Sequence, residues 1–168
     1  ERYFVDGATV RSYYLGFKDL DIKQIHMGHP YSIEFFEQES LFDTLYADMP
    51  AQYAKDSGYP GLKWSSVKTT LKDVDTAKLH FVKIPEHHVV IDFDLVDENG
   101  EKDFTKNLLE ASKWVPTYAE LSKSGAGIHL HYFYTGDVKE LGSVYDVGIE
   151  VKTLLGDASL RRKLTQCN

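Results

Sequence analysis

Apolar residues in this chain recur mostly with the period of strands and in two places with that of helices. In Val89-Val90-Ile91-Asp92-Phe93-Asp94-Leu95, alternation puts Val89, Ile91, Phe93 and Leu95 on one face and Asp92 and Asp94 on the other. A second strongly β run, Ile128-His129-Leu130-His131-Tyr132-Phe133-Tyr134, stops at Gly136. Leu79 to Ile84 predicts a strand ended by Pro85, and Thr117 to Leu121, Val147 to Lys152 and Leu160 to Thr165 predict three more. Ser40 caps a helix over 41–49, with Asp43 reaching back. Asp103 caps another that runs to about Trp114, with Phe104, Leu108, Leu109 and Ala111 on its apolar face and Pro116 beyond it. Asp137 to Leu141 predicts a helical turn. Turn residues fill Ser57 to Gly61, Asp97 to Gly100 and Ser122 to Gly127. The start of the chain, with Tyr3, Phe4, Tyr13, Tyr14 and Phe17, predicts one or two short elements. Strands with a few interspersed helices, and no strict parallel repeat, predict an α+β fold whose sheet is covered on one face.

Composition narrows the class. The chain has 168 residues, 42% hydrophobic and 27% charged, enough for one domain with a buried core and too few for a second. No apolar run is long enough to cross a bilayer, and the N-terminus lacks the order of a signal peptide. The single cysteine, Cys167, excludes an internal disulfide and predicts a reducing, cytoplasmic setting. A start at Glu1 and an end just after Cys167 predict a fragment of a longer protein. The formal charge of -7 argues against wrapping nucleic acid by bulk electrostatics, although local positive stripes remain open. One such stripe is Leu62 to Lys83, where Lys63, Lys68, Lys72, Lys78 and Lys83 are interleaved with Trp64 and Phe81; it reads either as a track for a nucleic-acid backbone or as a solvated face.

Three segments carry candidate chemistry. The Cα atoms of Asp92 and Asp94 lie roughly 6.5 to 7 Å apart on strand geometry, so both carboxylates can reach a pair of ions about 3.5 to 4 Å apart. In Ser122-Lys123-Ser124-Gly125-Ala126-Gly127 the glycines let the backbone approach a ligand and turn N–H groups toward it, which suits phosphate; the serines add hydroxyls and Lys123 a cation. His129 and His131 follow on one strand face. In the third segment, Gly148 to Lys152, Glu150 and Lys152 share a face, and Asp146 competes with Glu150 as a third acid. The adjacent His87 and His88 project to opposite faces and read as structural.

Taken in order, these segments resemble the archaeo-eukaryotic primase superfamily, specifically the primase-polymerase domain of phage and plasmid replication proteins. Asp92-Phe93-Asp94 is similar to its first motif, Ser124-Gly125-Ala126-Gly127-Ile128-His129 to its second, and Ile149-Glu150 to its third, with glutamate where many members have aspartate. The likeness covers roughly 79–165. It implies an RRM-like catalytic module with an antiparallel or mixed sheet over about 79–168, packed beside a smaller N-terminal α/β module over about 1–78. It also implies a DNA primase or polymerase that uses two Mg²⁺ or Mn²⁺ ions held by Asp92, Asp94 and Glu150. His129, Ser124, Gly125 and Gly127 would hold the triphosphate, with Lys123, Lys152, Arg161 and Arg162 as further phosphate contacts. Implied partners are single-stranded DNA template and primer, nucleoside triphosphates and a replicative helicase, in the cytoplasm of a bacterial or phage-infected cell and with no membrane.

Two other classes compete. His129-Leu130-His131 also has the form of the His-apolar-His element of rolling-circle replication endonucleases, which bind one metal and attack DNA with a tyrosine. That reading leaves Asp92, Asp94 and the Ser-Gly turn without a shared task. The other class is a non-catalytic single-strand-binding module of a replication protein.

Overall fold

The strand that carries Asp92 lies at the centre of the larger of two sheets in the computed structural model, which describes residues 9–12, 18–21, 32–114, 116–134 and 136–168. Tyr3, Phe4, Tyr13, Tyr14 and Phe17 fall outside those residues. In chain order the elements are β1 (Thr9–Ser12), β2 (Lys18–Asp21), α1 (Leu41–Leu45), β3 (Ala51–Tyr53), β4 (His80–Val82), β5 (His88–Phe93), α2 (Phe104–Ala111), β6 (Ala119–Leu121), β7 (Ile128–Tyr134), β8 (Val144–Asp146), β9 (Ile149–Thr153) and β10 (Leu160–Arg162). The larger sheet runs β2-β1-β7-β5-β9-β8, and β6 pairs the half of β7 that β1 leaves open. The smaller runs β10-β4-β3. Among the described residues every strand pair is antiparallel, so the fold there is α+β without the parallel pairing that a mixed sheet would carry. Strands from before residue 79 and after it share both sheets.

Alternation along β5 divides the interior in two. Val89, Ile91 and Phe93 pack with Leu130, Tyr132, Ile149 and Val151 under α2, whose Ala111 is fully buried. Val90 faces the other way, into a second cluster with Phe42 of α1, Leu71, Val82 of β4, Phe133 and Leu160. The sheet is therefore covered on both faces, where one was expected; the small sheet and α1 close the second. Each fully buried side chain of this size contributes about 1.5–3 kcal/mol.

Both helices are shorter than their apolar spacing predicts. In α1, Ser40 Oγ accepts from Asp43 N–H at 3.2 Å as a cap, but Asp43 does not reach back. Its carboxylate bonds Thr76 Oγ1 at 2.7 Å and pairs with Arg162 at 2.6 Å. The helix stops at Leu45 rather than at 49, and Tyr46 turns inward with its hydroxyl 2.8 Å from His88 Nδ1. In α2, capped by Asp103, the inward stripe passes through Asn107 and Ala111, so Leu109 is 63% exposed and is not a core residue. The helix ends at Ala111, with Trp114 buried in the turn beyond it. β8 was not expected; it pairs β9 across the turn at Gly148, whose φ is +75°.

A buried ion pair joins the two sheets. Arg162 of β10 donates from Nε to both oxygens of Glu120 on β6, at 2.9 and 3.0 Å, and from Nη2 to Oε2 at 2.6 Å. Ser40 Oγ accepts from the same Nη2 at 3.2 Å, Tyr118 Oη donates to Glu120 Oε2 at 2.5 Å, and Phe42 lies under the guanidinium at 4.3 Å. Burial raises the Glu120 carboxyl, yet the Arg162 charge and hydrogen bonds outweigh it and hold the group at about 2. Beside it, burial drives His131 down to about 3 against the pull of Glu120, and lowers His88 well below its ordinary value.

Glu120→Ala leaves Arg162 buried and short of its main partner, so a loss of about 3–5 kcal/mol is expected in urea unfolding. The histidines set the pH dependence. Their folded values lie below the ordinary 6.5, so the unfolded chain takes up protons first as pH falls. Stability is expected to be complete above pH 6.5 and to decline from there toward about pH 3, with Glu120 adding to the decline below 4.5. A urea midpoint that stays constant between pH 7 and pH 4 would contradict neutral, buried imidazoles.

Candidate active site

Strand register assembles the site. Asp92 on β5 lies directly opposite His129 on β7 and Glu150 on β9, and His129 lies opposite Glu120 on β6. Directly opposed residues of antiparallel strands project from the same face. Glu120, His129, Asp92 and Glu150 therefore form one row across four strands, on the face turned away from α2.

The row opens into a cleft lined by Asp92, Asp94, Lys102, His129, Lys152 and Arg161, with Glu120 and Arg162 as its floor. Cations counter both aspartates. His129 Nε2 is 3.1 Å from Asp92 Oδ1, and Lys152 Nζ is 3.2 Å from Oδ2. Burial raises the Asp92 carboxyl, but His129 and Lys152 together bring it down to about 2, so it is ionised throughout the neutral range. Lys102 Nζ stands 3.0 Å from Asp94 Oδ1. That oxygen is buried and accepts no hydrogen bond among the described residues, so the contact is an ion pair only.

The Ser-Gly turn is wound around its own serines. Gly125 N–H bonds the Ser122 carbonyl at 2.9 Å, Gly127 N–H bonds Ser122 Oγ at 2.9 Å, and Ala126 N–H bonds Ser124 Oγ at 3.3 Å. These N–H groups were expected to hold phosphate; here they hold the turn. Gly125 has a φ of +79°, where glycine is favoured. Gly127 is demanded by contact instead, since a Cβ there would sit 2.9 Å from Ser122 Oγ and 3.2 Å from Asp94 Oδ1. The turn thus lies beside the second carboxylate with no room for a side chain between them.

Other predicted site residues separate into groups. Lys123, Lys152 and Arg161 line the cleft, and Ser124 is exposed within the turn. Arg162 is not available to phosphate, because its donors are committed to Glu120, Asp43 and Ser40. Glu150 is in register with Asp92 but is solvent-exposed and does not line the cleft. Asp146 is further removed, its carboxylate accepting from Val147 N–H at 2.7 Å. Among the described residues no three His, Cys, Asp or Glu side chains converge as a metal-binding cluster. His131 is fully buried, with Nδ1 2.8 Å from His88 Nε2, so it does not share a solvent-facing metal site with His129.

Three contributors escaped the sequence reading. Lys102 and Lys163 line the cleft from segments without a recognisable motif. Asn107 of α2 is fully buried; its Oδ1 accepts from Leu95 N–H at 2.8 Å and its Nδ2 donates to the Ala126 carbonyl at 2.9 Å. It clamps the residue after Asp94 to the residue before Gly127. A polar residue on the inward stripe of an amphipathic helix was the available signal.

No family model matches this chain, and no curated protein or solved structure matches it. In donor type, the cleft fits a hard divalent cation: two carboxylates open into it, and one buried oxygen of Asp94 lacks a hydrogen bond.

Asn107→Ala removes both clamps and leaves a buried donor and acceptor unsatisfied, so a loss of about 1–3 kcal/mol for each is expected. Gly127→Ala should cost about 1–3 kcal/mol by overpacking against Ser122 and Asp94. Chemical denaturation of both variants checks these values.

Proposed function

We propose that this chain is the catalytic domain of a DNA primase or polymerase of the archaeo-eukaryotic primase type, transferring nucleotides to a 3′-hydroxyl. The observation that carries the reading is the cross-strand row. One ionised aspartate is flanked in register by a histidine and a glutamate, with a second aspartate and a Ser-Gly turn at the same end of the sheet.

The topology supports it. β5, α2 and β6 form a split β-α-β unit with β7 inserted between the strands and β9 on the other side of β5, which is the strand order of an RRM-like sheet. A 3-10 turn at Val138–Glu140 and β8 stand where such sheets carry a second helix. In this reading the catalytic module is built around β5, β6, β7 and β9, and the chain does not divide at residue 79, because β1 and β2 extend the large sheet while β4 and β10 join β3 in the small one.

Asp92, Asp94 and Glu150 would hold Mg²⁺ or Mn²⁺, which neutralise the developing charge of phosphoryl transfer and activate the attacking hydroxyl when bound. Glu150 stands directly opposite Asp92 in strand register, which is what supports its place in the set. Lys152 and Lys102 counter the carboxylates in the free chain and would supply the positive lining for a triphosphate, with His129 hydrogen-bonded to Asp92 beside them. Lys123, Arg161 and Lys163 extend that lining at the rim. The turn contributes position more than donors: through Gly127 and Asn107 it fixes where Asp94 stands.

The purified protein, given Mg²⁺ or Mn²⁺, nucleoside triphosphates and a primed template, is expected to extend the primer. Asp92→Ala with Asp94→Ala should reduce extension at least about 100-fold, because metal charge stabilisation is worth several kcal/mol. His129→Ala should raise KM for the nucleotide. Absence of extension by the wild type with either metal would rule the reading out.

A further inference from the structure

The cleft continues past its carboxylates. Arg161, on its rim, lays its guanidinium against the loop that follows β3, with Nη2 3.4 Å from where a Cβ on Gly58 would stand. Gly58 has a φ of +83°, a conformation that favours glycine at this turn. The loop is tied at several points. Lys55 N–H bonds the Tyr59 carbonyl at 2.9 Å, and Gly58 N–H bonds the Lys55 carbonyl at 2.8 Å. The Gln52 side chain grips the main chain of Leu62 through both its amide atoms, at 2.9 and 2.8 Å.

A loop held this firmly presents its apolar side chains outward. Tyr59 is 70% exposed and Leu62 57%. Lys55 and Lys63 are exposed on either side of them, against one exposed carboxylate at Asp56. In a chain of formal charge -7, a positive, aromatic surface that continues into a cation-lined cleft is a local reversal.

We propose that this loop is a docking surface for single-stranded DNA, with a base stacked on Tyr59 and the phosphates passing over Lys55, Lys63 and Arg161 into the cleft. The choice of DNA rests on the nucleotidyl-transfer reading; the ring, the cations and their continuity with the cleft do not. A single strand fits because a base must be unpaired to stack on a side chain, and a phenol ring accepts any base. Arg161 is the hinge of the surface, since it touches the loop and also lines the cleft.

Binding of a labelled oligothymidine, followed by fluorescence anisotropy without metal or nucleotide, tests it. Tyr59→Ala is expected to weaken binding about 5- to 100-fold, the range for loss of one base-aromatic stack, and Tyr59→Trp to retain it. Arg161→Ala should reduce the slope of log affinity against log salt by about 0.7, as for one phosphate contact on a single strand. Binding by Tyr59→Ala equal to wild type would overturn the proposal, as would binding of oligouridine RNA with none of DNA. Tyr59-dependent DNA binding by a protein that extends no primer supports the surface and removes the polymerase reading. Primer extension by the wild type together with unchanged binding by Tyr59→Ala does the reverse.

Discussion

Arg162 arrives on β10 of the small sheet and finds its carboxylate partner, Glu120, on β6 of the large one, so the ion pair is also the seam between two layers. Both side chains are only 2% exposed. Removing Glu120 would leave Arg162 buried with only Asp43 as a counter-charge, and removing Arg162 would leave Glu120 buried without a cation bonded to it, so the pair couples the stability of the two layers. The pair forms the floor of the cleft. Arg161, next to it on β10, is thereby aimed at the rim, and His129, opposite Glu120 on β7, is aimed at Asp92. The positions of the reactive-looking side chains thus depend on a contact that takes no part in their chemistry.

The cleft is balanced in a way its acidic sequence motif does not suggest. Asp92 is held ionised by His129 and Lys152, and Asp94 is countered by Lys102. Carboxylates neutralised by mobile cations exchange partners more readily than carboxylates locked by backbone donors, because a lysine stem can swing aside without disturbing the fold. Backbone donors are directed elsewhere, into the turn at Ser122–Gly127, where they set its shape. Rigid parts fix geometry here and flexible parts carry charge.

Local patterns were legible in the sequence; pairings over distance were not. β5, β7 and the turn between Ser122 and Gly127 follow from alternation and glycine content, which are properties of neighbouring residues. Asp92 and His129 could be named as site residues, though their register came only with the strand pairing. Arg162 was read as a phosphate contact because nothing near it in sequence announces a carboxylate partner 42 residues away. Leu109 looked inward because Asn107, a polar residue, occupies the stripe that packing selected. The second covered face was hidden for a similar reason, since it depends on β3, β4 and β10 meeting as a sheet.

Beneath the floor, the imidazoles impose an order of their own. Tyr46 Oη approaches His88 Nδ1, His88 Nε2 approaches His131 Nδ1, and His131 Nε2 is 3.8 Å from Glu120 Oε1. A neutral imidazole donates at one nitrogen and accepts at the other, so choosing one tautomer chooses the next. With Glu120 ionised, the favoured sense places a hydrogen on His131 Nε2 toward the carboxylate, one on His88 Nε2 toward His131, and the Tyr46 hydrogen toward His88. The whole file then points one way, as a line of aligned dipoles ending at the ion pair. Beside the direct contact that Asp43 of α1 makes with Arg162, a second electrical path therefore reaches the floor of the cleft from the end of that helix, through the hydroxyl of Tyr46.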